Sequence, residues 1–191
     1  MTSLGIIVLV IISVLVGFFI NSVIYHAREG VKVGRPAPAF TGELLDGSRV
    51  SQADWNRTPQ HMLLCFVSPM CSVCRRLAPF LDTLNKTYSD AELNVLLLGI
   101  GGNREVFRRW KDDLQIELPV AVDVDGTDRL RYAVYSLPAI FLISPGGIVQ
   151  MVRTGFRSRD EDKYKTLFQK LVPAVTQSGR VSAPRGSTQQ P

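Results

Sequence analysis

Cys71 and Cys74 stand in the stretch Ser68-Pro69-Met70-Cys71-Ser72-Val73-Cys74-Arg75-Arg76-Leu77-Ala78-Pro79. Two intervening residues let such a pair close a small disulfide ring. The run before it, Met62 to Val67, is continuously apolar and reads as a strand buried on both faces. The run after it, Cys74 to Tyr88, places Leu77, Phe80, Leu81 and Leu84 at helical spacing. A thiol at the start of that helix faces unpaired backbone N–H groups and the positive end of the dipole, which favour the nucleophilic thiolate. Arg75 and Arg76 add nearby positive charge. Cys74, further into the helix, can attack a mixed disulfide on Cys71 and release the partner. Cys71 is therefore the attacking thiol and Cys74 the resolving one.

A C-x-x-C is also half of a zinc site, but zinc needs a second ligand pair. Outside the motif only Cys65, His26 and His61 remain. No metal is expected, and no cofactor beyond the redox-active disulfide Cys71–Cys74. Cys65 reads as a small apolar core residue.

The elements that position this pair are legible along the chain. Phe40 to Val50 carries Asp46-Gly47 between apolar flanks, a hairpin signal. Leu93 to Gly99 is a second buried strand, Arg104 to Leu114 a helix with a charged face that includes Arg108, Arg109 and Lys111. Pro119 to Val122, Ala139 to Ser144 and Ile148 to Arg153 read as further strands, the last two joined by the turn Pro145-Gly146-Gly147. Arg159 to Val175 closes the domain as an amphipathic helix. Strands alternating with helices, then a terminal hairpin and helix, predict a three-layer α/β domain.

The chain has 191 residues and a net charge of +5, with Arg and Lys spread along it. That distribution argues against nucleic-acid binding. Residues 1–25 contain no Asp, Glu, Lys or Arg, and Leu4 to Ile20 is apolar apart from one Ser. The stretch is long enough to cross a hydrocarbon core of roughly 30 Å as one helix. A cleaved signal peptide would carry a shorter apolar run led by positive charge. We therefore expect a transmembrane anchor over 1–25, a linker over 26–35, a catalytic domain over 36–175 and a disordered tail over 176–191. Arg28, Lys32 and Arg35 follow the span, and the positive-inside rule alone would keep the domain in the cytoplasm.

Two weaker motifs read as structure. Gly99-Ile100-Gly101-Gly102 lacks the further glycine of a dinucleotide loop and the Lys of a P-loop, and is expected to be a plain turn. Asp123 to Asp128 misplaces the glycine of a calcium loop and lacks its closing Glu. It is expected to be a turn in which an Asp caps the next helix.

With these residues in view, the chain resembles thioredoxin-fold proteins, and more narrowly the membrane-anchored thiol–disulfide oxidoreductases of bacterial envelopes (the TlpA/ResA-like group). The resemblance spans roughly Pro36 to Val175 and includes Pro79, five residues after the second cysteine. It implies an α/β, three-layer thioredoxin-like fold with a central mixed sheet, preceded by one N-terminal transmembrane helix. It also implies a cis-proline at Pro138, with the backbone of Leu137 presented to a bound substrate strand. The pattern S-P-x-C-x-V-C-[KR]-[KR]-L-x-P with an apolar N-terminus is most similar to the MauD-like accessory proteins of methylamine utilisation.

Two departures stand out: Cys65 replaces the buried Asp of thioredoxins, and Leu77 stands where several cytochrome-maturation reductants carry a Glu. The resemblance places the chain in the bacterial inner membrane as a single-pass protein, its domain in the periplasm. Its partners would be periplasmic protein thiols and disulfides together with a membrane or periplasmic electron donor or acceptor. The function implied is disulfide exchange, with maturation of methylamine dehydrogenase as one setting. Alternatives are a cytochrome c maturation reductant, a peroxiredoxin-like antioxidant, or a non-catalytic binding module or chaperone. The peroxiredoxin signature is incomplete, because Leu64 stands where its proline would be.

Overall fold

Apolar residues alternate between two faces along the central strand, so each face must be covered by its own layer. The computed structural model describes residues 5, 8, 10–19, 30–57, 59–88 and 93–171. Its elements run β1 (Thr41–Leu44), β2 (Arg49–Ser51), α1 (Gln52–Trp55), β3 (His61–Val67), α2 (Ser72–Thr87), β4 (Leu93–Gly99) and α3 (Arg104–Leu114). They continue with β5 (Val120–Val122), α4 (Thr127–Arg131), β6 (Ala139–Ile143), β7 (Val149–Thr154), a 3-10 turn (Ser158–Asp160) and α5 (Glu161–Lys170).

The seven strands form one mixed sheet in the order β2-β1-β5-β4-β3-β6-β7. β3 is parallel to β4 and antiparallel to β6, with Leu64 opposite both Leu96 and Phe141. On one face Leu63, Cys65 and Val67 pack against Leu77 and Leu81 of α2, Phe107 and Trp110 of α3, and Tyr164 and Phe168 of α5. On the other, Met62, Leu64 and Phe66 pack with Phe40, Tyr132 and Val134, and Trp55 of α1 closes the edge. The expected three-layer thioredoxin-like fold is thus formed.

Element boundaries follow local chemistry. The predicted hairpin is β1–β2: Gly47 takes φ 94°, and the Asp46 carboxylate accepts from the N–H and hydroxyl of Ser48. α2 begins at Ser72, earlier than the hydrophobic spacing suggests, because Cys71 is itself the N-cap. Pro79 lies inside α2, where it removes the N–H that would bond the carbonyl of Arg75. Before α4 the Asp123 carboxylate accepts from the N–H groups of Asp128 and Arg129, so an Asp does satisfy the helix start, although Gly126 holds the N-cap position. The described part of the last helix begins at Glu161, after the 3-10 turn, and the residues beyond 171 lie outside the described ones.

Residues 10–19 are helical, and the rest of the expected anchor falls mostly outside the described residues. Among the described residues no helix is long and apolar enough to cross a membrane. The stretch expected as a linker docks where it meets the domain. Gly34 donates to the Val149 carbonyl, Val149 donates to that of Arg35, and Pro36 bridges Ile148.

Candidate active site

The site grows out of the end of β3. Val67 closes the strand, and the N–H of Cys71 donates to the Ser68 carbonyl at 3.1 Å, folding Ser68–Cys71 into a turn that delivers Cys71 to the head of α2. Cys71 and Cys74 form a disulfide, with Cα atoms 5.2 Å apart. The N–H of Cys74 donates to Sγ of Cys71 at 3.1 Å. Cys71 is half-buried whereas Cys74 is fully buried in the α2-side core. A thiol that must meet a partner needs access, and one that acts only after the partner is attached does not. Cys71 is therefore the sulfur of the pair that a partner protein can reach, and Cys74 the one it cannot.

β6 brings the second predicted loop alongside. Ala139 pairs with Phe66 in antiparallel register. Continuing that register sets Pro138 beside Val67 and Leu137 beside Ser68, next to the cysteine turn. The Leu137–Pro138 bond is cis, as the resemblance implied. Pro138 is buried and Leu137 half-buried, the latter packing against the clusters on both sheet faces. The Pro138 carbonyl accepts from the N–H of Gly155 at 2.8 Å, which ties the loop to the end of β7.

The other singled-out residues fall into structural roles. Gly101 has φ 76° in a plain turn, and Asn103 caps α3 by accepting from the N–H of Val106. Cys65 is fully buried, and burial pushes its thiol pKa far up, into a range where it stays protonated. Leu77 is fully buried in the same cluster. Neither position carries a carboxylate to handle protons beneath the disulfide. Tyr164 was missed by sequence reading. It is buried in this cluster from α5, and its phenol is pushed up by burial. Among the described residues no group of His, Cys, Asp and Glu side chains could hold a metal ion.

Comparison with known proteins agrees with this geometry. Residues 33–152 match the model of the AhpC/TSA family. The thiol-disulfide oxidoreductase ResA of Bacillus subtilis is 27% identical over 148 residues, covering 78% of this chain and 82% of that protein. The thioredoxin-like protein YneN of the same organism is 26% identical over 144 residues, covering 74% and 83%. A solved structure of a putative thiol:disulfide interchange protein DsbE from Chlorobium tepidum superposes with a TM-score of 0.68 at 23% identity, covering 75% of this chain and all of that one. The last likeness establishes the fold. With its Cys71–Cys74 pair at the head of α2, the chain belongs to the thioredoxin-like AhpC/TSA family and is a thiol–disulfide oxidoreductase of ResA-like type.

Proposed function

We propose that this enzyme is anchored in the bacterial inner membrane by its first 25 residues and exchanges disulfides with proteins in the periplasm. The observation that carries the exchange reading is the asymmetry of the pair: a half-exposed Cys71 as N-cap and a buried Cys74 behind it. An oxidising compartment suits a chain whose active form holds a disulfide. The apolar run Leu4 to Ile20 supports the anchor. The MauD-like motif supports a role in maturing the disulfide-rich small subunit of methylamine dehydrogenase. The disulfide closed within one turn of helix favours thiol exchange over peroxide chemistry.

The test is a redox titration of the full chain in detergent micelles, using glutathione or dithiothreitol buffers and counting alkylated thiols by mass. A couple near about −270 mV marks a reductase that draws electrons across the membrane, and one towards about −120 mV marks a disulfide donor. If no two-electron couple forms between Cys71 and Cys74, the enzymatic reading is wrong. Carbonate-resistant recovery of the protein with membranes, and labelling of Cys71 in spheroplasts by an impermeant maleimide, test the anchor and its orientation.

A further inference from the structure

A groove of about 800 Å³ opens beside the disulfide, between α2, β7 and α5. Val73, which lies between the two cysteines in sequence, contributes to its lining, and Met151 and Phe156 give it an apolar part. Its charged lining is one-sided: Arg76, Arg153, Arg157, Lys163 and Lys170 stand against the single carboxylate of Asp160. Most of the chain's net charge of +5 therefore gathers at one recess. Asp160 is already engaged, accepting from Lys163 at 3.3 Å and from the N–H of Arg157 at 3.1 Å. Among the described residues the other four cations have no carboxylate partner. Like charges are not brought together without cost, so an unneutralised cluster beside a reactive centre points to an anionic visitor.

The groove also offers main chain. β7 is the last strand of the sheet, and the Gly34–Pro36 stretch covers its outer edge only as far as Val149. Among the described residues no backbone pairs with the outer edge of Met151–Thr154. Gly30 and Val31 lie near Val152 and Thr154 but form no ladder with them, so this edge keeps main-chain groups with which an extended segment can pair.

We infer that this groove binds an acidic, extended segment of the protein substrate, so that the enzyme selects among protein disulfides by the charge flanking them. The inference rests on the disulfide-exchange reading and adds the substrate's chemistry to it. A recess with an apolar lining suits a peptide rather than the flat anionic surface of a bilayer.

The test uses the full chain in a non-ionic detergent. A fluorescent cysteine-free peptide rich in Asp and Glu, and its Lys counterpart, are titrated by anisotropy. In parallel, disulfide-linked peptides with acidic or basic flanks are followed for exchange. We expect the acidic peptide to bind and its disulfide version to react about tenfold faster than the basic one, both effects fading with salt. Arg153→Glu with Lys170→Glu should abolish the preference, and Arg153→Gln with Lys170→Gln should reduce it, while Arg49→Glu on the far edge strand leaves it intact. Equal handling of acidic and basic peptides, an undiminished preference in the double variants, or binding of the chain, transferred to neutral-lipid nanodiscs free of detergent, to anionic phosphatidylserine vesicles in place of peptides would overturn the inference. Failure of wild type to exchange with glutathione would instead overturn the exchange reading, and the anisotropy arm would still decide the groove.

Discussion

The backbone N–H of Cys74 points at Sγ of Cys71, 3.1 Å away, so the first turn of α2 holds a donor on the sulfur proposed to attack, which would carry negative charge as a thiolate. An anion at a helix N-terminus gains about 0.3–1 kcal/mol from the dipole and its free N–H groups. Cys74 lies fully buried and receives no such help.

This asymmetry predicts different fates for the two single variants. Cys74→Ala should leave Cys71 able to attack but unable to release, trapping substrate proteins as mixed disulfides visible on non-reducing gels. Cys71→Ala should trap none and lose exchange by several orders of magnitude, towards the roughly 10⁶-fold loss seen when a hydrolase loses its nucleophile. Trapping by the Cys71→Ala variant would reverse the assignment of roles.

Cys65 makes a third thiol whose silence can be checked. It sits in the middle of β3 with no exposed surface, and burial raises its pKa strongly, so the thiolate is not available. After reduction under native conditions, iodoacetamide should modify Cys71 first, Cys74 slowly and Cys65 not at all; in urea all three should react. Native labelling of Cys65 at a rate comparable to Cys71 would contradict the packing described.

Much of this was readable from residues alone, and the limits have physical causes. β4 and α3 fall on the predicted bounds because each is a run with one unambiguous period, flanked by a clear breaker or cap. The cysteine pair was legible because its chemistry is local: strand, turn and helix start are contiguous. The basic groove was not. Arg76 and Arg153 lie on α2 and at β7, far apart in the chain, so charges that look dispersed in sequence meet only once the sheet order is fixed. The docking of Gly34–Pro36 was hidden for a related reason. Its glycine and proline content signals only a lack of helix, whereas its partner, the β6–β7 hairpin, is over a hundred residues away.

Asp82 is a place where stability should follow pH in a definite direction. Its nearly buried carboxylate accepts from the N–H groups of Glu117 and Leu118 at 2.8 and 3.0 Å and pairs with Lys86 at 2.9 Å, fastening α2 to the strand entry at β5. Burial alone would raise its pKa, but Lys86 and the two N–H donors outweigh burial and hold it below the ordinary carboxylate value. A carboxylate with a depressed folded pKa stabilises above its unfolded pKa, and that contribution is lost as pH falls through the folded one. Asp82→Asn keeps an acceptor and removes the charge, so it should cost roughly 1–1.5 kcal/mol at neutral pH, the difference between charged and neutral hydrogen bonds. Urea unfolding at neutral pH and again well below about pH 4 should show that gap shrinking on acidification as the wild-type group protonates. A gap that stays constant or widens in acid would mean that Asp82 acts through its shape alone, with its charge contributing nothing to the fold.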